Sequence, residues 1–284
     1  MKIDAMDKSL YQQCMTKKRM GFRVHSVFES AINLISQEGI WATVVSKGRW
    51  LPPNGFRVRG FPELKESLEN QDNFWIDESI LPDSFIDLHI HSITGNIEQR
   101  ESMEILEKKV EYLQEFLNVF GKEGFMRTQL PEKIQLSLTA FDQGLENQNE
   151  QKIKQSLQGL IGFGKGLTPS MDDYLAARIL VWKIWKQIHP TKETIQFGDL
   201  IVDEAAQKTT VVSEHMLAFA NQGKCSEDLL RLFRMMFLSS KGPEYEDAIK
   251  EVMEIGCSSG EDWIYGMIHE TQRLLVNRKG GNNA

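Results

Sequence analysis

The run Gly162-Phe-Gly-Lys-Gly-Leu-Thr-Pro-Ser-Met-Asp-Asp-Tyr174 joins a glycine-rich turn to a helix start and sets two adjacent carboxylates there. Glycines let backbone come close to a ligand and take up positive φ, and the first N–H groups of a helix have no acceptor within it. Such a junction suits a phosphate or carboxylate, with Gly162, Gly164, Gly166 and Ser170 as the anion-binding candidates. Asp172 and Asp173 repel a bare anion, so a cation has to intervene. Either the acids hold a Mg2+-like ion that bridges to the ligand, or Lys165 and Arg178 supply the compensating charge. Adjacent hard oxygen donors suit Mg2+ better than zinc, and no His or Cys set stands near them.

This helix start has an echo. Pro169-Ser-Met-Asp-Asp-Tyr-Leu-Ala-Ala177 aligns without gaps on Ser258-Ser-Gly-Glu-Asp-Trp-Ile-Tyr-Gly266. In each, a serine (Ser170, Ser259) precedes two acids (Asp172 and Asp173; Glu261 and Asp262), an aromatic, an aliphatic and a small residue. A serine cap with an acid three residues on explains either copy alone, since acids in a first turn complement the helix dipole. Doubled acids in both copies exceed what a cap needs. The sharper expectation is that the two starts face one pocket, which adds Ser258, Ser259, Gly260 and Asp262 to the site.

Other motifs fail on inspection. Gly159 to Gly166 is one residue short of a phosphate-binding P-loop, because Gly166 replaces the hydroxyl residue and an amphipathic helix replaces the preceding strand. Neither a dinucleotide fingerprint nor a Gly-x-Ser-x-Gly elbow occurs. His89 and His91, two apart on an expected strand, are compatible with a metal pair but lack a third ligand nearby. His25, His215 and His269 are each expected on a helix, where a lone histidine is more often structural than a general base. Lys208-Thr-Thr-Val-Val-Ser213 has poor helix propensity and marks a break whose hydroxyls and Lys208 reach toward the pocket.

The elements that must position these residues fall into two textures. Residues 1–23 are polar without a strong period and read as an N-terminal arm or a short helix. Apolar positions at Val24, Val27, Phe28, Ala31, Ile32 and Ile35 predict a helix over 24–36. Strands are expected at 40–45, 56–58, 74–76 and 85–90, making 24–95 a β-rich part with a packed helix. From 96 to 278 the pattern is helical: one long helix to about Gly121, then helices over 131–144, 149–160, 170–187, 199–221, 226–238, 244–255 and 260–276. Residues 279–284 read as a frayed tail. The fold class is α+β, β-rich first and helical second.

Composition narrows the class. The 284 residues, 41% hydrophobic and 26% charged, are those of an ordinary globular chain, and a net charge of -7 argues against a general nucleic-acid or anionic-membrane binder. Cys14, Cys225 and Cys257 are odd in number and dispersed, which suggests no disulfide framework and fits the cytoplasm. No apolar run is long enough for a bilayer.

At Gly164-Lys-Gly-Leu-Thr-Pro-Ser-Met-Asp-Asp173 the sequence resembles the bacterial family that includes the AllH subunit of oxamate carbamoyltransferase, whose signature reads about G-x-G-L-T-P-S-G-D-D. Val24-His-Ser-Val-Phe28, Thr209-Thr210 with Ser213, and Ile255-Gly-Cys-Ser-Ser-Gly-Glu-Asp262 extend the likeness over most of the chain. Met171 stands where glycine is usual, and Lys165 where proline is common. The resemblance implies a subunit in allantoin and purine catabolism that helps convert oxalurate and phosphate to oxamate and carbamoyl phosphate. It also implies AllG-like and FdrA-like partners. The Gly162–Gly166 backbone, Thr168 and Ser170 would then contact phosphate or carboxylate, and Lys165 would balance charge. Asp172 and Asp173, with Asp262, would hold the metal or position a proton donor. Two other readings stand beside it: a non-catalytic assembly or regulatory subunit, and a stand-alone metal-dependent enzyme on another phosphorylated or carboxylated metabolite.

Overall fold

The computed structural model describes residues 2–69, 73–95, 101–122, 130–189, 193–238 and 243–281. Two compact units emerge: Met1–His89 with Cys225–Leu230, and Ile90–Lys224 with Arg231–Ala284. The architecture is α+β, with the sheet in the first unit and helices throughout the second.

The first unit is a six-stranded sheet with spatial order β1-β5-β4-β3-β2-β6. Its strands are β1 (Lys2–Met6), β2 (Arg19–Val27), β3 (Ala31–Ser36), β4 (Trp41–Ser46), β5 (Gly55–Arg59) and β6 (Asn73–Asp77), antiparallel except for the β4–β5 pair. Helices α1 (Lys8–Lys17) and α2 (Phe61–Glu69) supply Leu10, Cys14, Phe61 and Leu68 to one core with Ile3, Phe22, Leu34, Val44, Phe56 and Ile76. Residues expected as an arm or a short helix thus form β1, the helix α1 and the start of β2.

The helix expected over 24–36 is a hairpin of β2 and β3 instead. Phe22 and Val24 face the core in step with a two-residue period, but a register shift between Val24 and Ser26 moves the next inward residue to Val27. A bulge followed by a turn, closed by Phe28 N–H donating to the Ala31 carbonyl at 2.8 Å, therefore spaces the apolar residues at three and four. Period 2 interrupted once imitates period 3.6. His25 accordingly lies on a strand. The strand expected at 85–90 is reduced to isolated bridge residues, Ile86, which pairs with Asp7, and His89, while His91 opens a short helix.

The second unit contains α3 (His91–Thr94), α4 (Met103–Phe120), α5 (Glu132–Glu146), α6 (Glu150–Leu160), α7 (Ser170–Ile188), α8 (Phe197–Ala205) and α9 (Val211–Asn221). Then follow α10 (Glu227–Phe237), whose first turn belongs to the sheet unit, α11 (Glu244–Met253) and α12 (Ser259–Gly281). The segment expected as one helix over 199–221 breaks at residues 206–210, and the Thr210 hydroxyl restarts it by accepting from Ser213 N–H. Helix α7 is buried on nearly every side, so it is the central element of this unit rather than a surface amphipathic helix. Helix α12 continues through residues 279–281, where fraying was expected; 282–284 lie outside the described residues.

Candidate functional site

The glycine-rich turn folds back over the start of α7. Gly162, Gly164 and Gly166 all have positive φ, and at Gly164 (φ 132°) an added Cβ would collide with the Ser170 backbone nitrogen. That contact explains why this position needs glycine. Three first-turn amides of α7 are paired: Met171 N–H donates to the Phe163 carbonyl at 3.0 Å, and Asp172 and Asp173 N–H donate to the Pro169 carbonyl. What remains for a ligand is the exposed stretch 164–167 with half-buried Thr168, whose amides donate to no protein acceptor among the described residues.

Asp172 does not cap its own helix. It accepts from Gly162 N–H at 2.8 Å, from the Ser213 hydroxyl at 2.7 Å and from the Thr209 hydroxyl, tying the glycine turn and the α8–α9 break to α7. The Thr210 hydroxyl also donates to the Leu167 carbonyl. The break residues do reach the motif, and there they brace it.

The second helix start lies beside the first. The Thr168 and Ser259 hydroxyls are 3.1 Å apart, and the Trp263 indole N–H donates to Asp173 Oδ1 at 3.1 Å. Further along, Gly266 presses on Ala177, where an added Cβ would stand 2.7 Å from the Ala177 Cβ. Next come Tyr174 with His269 and Arg178 with Glu270. Contacts that advance together on both helices mean that α7 and α12 run parallel from a common start. Ala177 and Gly266, partners in the gapless alignment, are partners in space as well. Two parallel helices bring two positive dipole ends together. The chain matches the family model described as oxamate carbamoyltransferase subunit AllH over residues 160–271, and the AllH family N-terminal domain over residues 2–94. It belongs to the AllH family. The first of these matches contains both helix starts and the hydroxyls that brace them. No solved structure matches the chain.

Within this AllH-family site the neighbouring acids differ in character. Burial raises the Asp173 carboxyl well above its ordinary range, the nearby Asp262 charge pushes it further, and the Ser259 and Thr168 hydroxyls offset only part. Asp173 is 1% exposed, so burial works against its ionised form. Asp172 is raised as well, by burial, against the pull of its three hydrogen-bond donors. Asp262 is fully buried, and Glu261 accepts from Lys122 N–H.

The remaining expected residues are placed as follows. Lys165 is exposed in the turn, whereas Ser170 is buried in the first turn of α7. The Ser258 carbonyl accepts from Asp262 N–H, and the Gly260 amide donates to the Ile255 carbonyl. Gly260 is buried so tightly against Val252 that its role is packing. Arg178 is not available to an anion: it is 1% exposed and bound to Glu270 and Asp142, each at 2.7 Å. That ionic network, continued by Arg273 to Glu193, was missed from the sequence, where Glu270 and Arg273 carry no local signal.

Of the three acids expected to hold Mg2+, two are already engaged by protein donors. Both oxygens of Asp172 already accept hydrogen bonds, Asp173 Oδ1 accepts the indole N–H, and no group of three His, Cys, Asp or Glu able to share an ion occurs among the described residues. His91 Nδ1 lies 3.3 Å from Gln187 Oε1, a polar contact rather than half of a metal pair. No helix among the described residues is long and apolar enough to cross a membrane.

Proposed function

We propose that this chain contributes a small-anion site to an oxamate carbamoyltransferase-like complex, at the mouth shared by α7 and α12. One observation carries the reading: the Thr168 and Ser259 hydroxyls meet, 3.1 Å apart, beside the buried Asp173, whose carboxyl burial holds well above its ordinary range. In phosphorolysis of oxalurate a phosphate oxygen forms a bond to the ureido carbonyl carbon, the bond from that carbon to the oxamate nitrogen breaks, and the nitrogen takes a proton. The free amides of the 164–168 turn and Lys165 would orient phosphate or the substrate carboxylate. Asp173 would supply the proton through the Thr168 or Ser259 hydroxyl and recover it from phosphate. AllG-like and FdrA-like subunits would complete the complex.

A second reading is favoured by a different observation. Asp172 and three first-turn amides of α7, those of Met171, Asp172 and Asp173, are engaged inside the protein, as expected of an assembly subunit whose motif is a structural brace. The test is the reconstituted complex with Asp173→Asn and, separately, the double variant Thr168→Val with Ser259→Ala. The site reading expects loss of turnover by about a hundredfold or more with intact assembly. Full turnover in both would leave the brace reading standing.

A further inference from the structure

The sheet unit carries a groove that the site above does not use. It has a volume of about 510 Å³ and lies on the side of β2 and β6 away from the core helices. Strand alternation puts Arg19, Gly21 and Arg23 on this face, opposite Asp77, Trp75 and Asn73 of the edge strand β6. Trp75 is 50% exposed. Its indole lies across Gly21, where an added Cβ would be 2.6 Å from the ring, so glycine at this position makes room for it. The Arg19 guanidinium stacks on the same indole, 4.3 Å from the ring centroid, so the platform already accepts a flat, delocalised group.

The charge of the groove opposes that of the chain. Its lining has three cations, Lys17, Arg19 and Arg23, against one carboxylate, Glu38, which Lys17 engages. Arg23 makes no ion pair among the described residues. On a protein of net charge -7 this is a local reversal of sign. Four residues of strand set Arg19 and Arg23 roughly 13 Å apart with the indole between them. A two-carbon acid would reach one guanidinium and leave the platform bare. Gln37 and Asn73 add amide donors and acceptors to the rim.

We propose that this groove binds a nucleoside phosphate, with the base on the Trp75 platform beside Arg19 and the phosphates at Arg23 and Lys17. The volume is that of a small-molecule site. The assignment is independent of the helical unit's anion site.

Calorimetric titration of the full chain with ADP, adenosine and pyrophosphate tests it. ADP is expected to bind, with each fragment at least about tenfold weaker, because base and phosphate contribute separately. Arg23→Gln and Trp75→Leu should each weaken ADP by about tenfold or more. Both side chains are exposed, so the melting temperature without ligand should stay put. Absence of ADP binding, a fragment that matches ADP, or full affinity in either variant overturns the proposal. So does ADP affinity that is lost in Lys165→Gln but kept in Arg23→Gln, which would move the ligand to the glycine turn.

Discussion

At the scale of single residues, two neighbours of one type do different work because of what surrounds them. Asp172 is an acceptor for three donors from two other segments, whereas Asp173 sits between the helix starts with its carboxyl pushed well above the ordinary range by burial. Asp172→Ala leaves Gly162 N–H and two hydroxyls without their acceptor, and urea unfolding should show a loss of about 3 kcal/mol or more. Asp173→Asn should behave otherwise, since an amide resembles the neutral acid in shape. Its melting temperature near neutral pH should match or exceed that of the parent. The pH dependence carries the sign. A carboxyl raised above its ordinary value of 3.8 favours folding while both states are protonated, and that contribution falls as pH rises through the unfolded value toward the folded one. Melting curves from pH 4 to pH 8 should therefore decline less steeply in Asp173→Asn. An unchanged slope would show that Asp173 is ionised in the fold. The sequence pointed to both acids by their place in the motif, but their division of labour depends on Thr209, Ser213 and Trp263, which are distant in the chain and become neighbours only through packing.

Among elements, the nearness of the α7 and α12 starts was legible in the sequence, because two stretches of the same design sat at two helix starts. The contact of Ala177 with Gly266 was not, since neither small residue announces it. Gly266→Val inserts a branched side chain against the Tyr174 carbonyl and the Ala177 Cβ, and should cost about 1–3 kcal/mol. It should also separate Thr168 from Ser259 and reduce phosphate affinity, measured by calorimetry. If affinity holds while stability falls, the two starts do not form one anion site. The hairpin at β2 and β3 shows the opposite case. Its apolar spacing was clear and its period was misread, because the bulge at Val24–Ser26 changes phase in a way that side-chain types alone do not reveal. The helix break at 206–210 was readable from local chemistry, since β-branched and hydroxyl residues disfavour a helix interior and the Thr210 hydroxyl is a good restart.

For the molecule as a whole, stability in the helical unit leans on charges buried far from its surface. Asp142, Arg178, Glu270, Arg273 and Glu193 form one chain of ion pairs that joins α5, α7, α12 and the segment before α8. Burial by itself would raise the Glu270 carboxyl, but the charges and hydrogen bonds of Arg273 and Arg178 outweigh it and hold that group below its ordinary 4.5. The linkage is opposite in sign to that of Asp173. Stability from Glu270 is present above its unfolded value and is lost as pH falls through its folded one, so this unit is weakened from the acid side by the network and from the alkaline side by the shared helix start. Arg178→Met removes the central cation and leaves Glu270 with Arg273 alone, at an expected cost of about 3–5 kcal/mol near neutral pH. The deficit relative to the parent should shrink toward acid pH, because protonation of Glu270 removes the charge that Arg178 compensates. Unfolding in urea at pH 7 and at pH 4 measures both quantities, and a deficit of equal size at the two values would mean that Arg178 acts through packing on Phe141 and Tyr174 rather than through its charge.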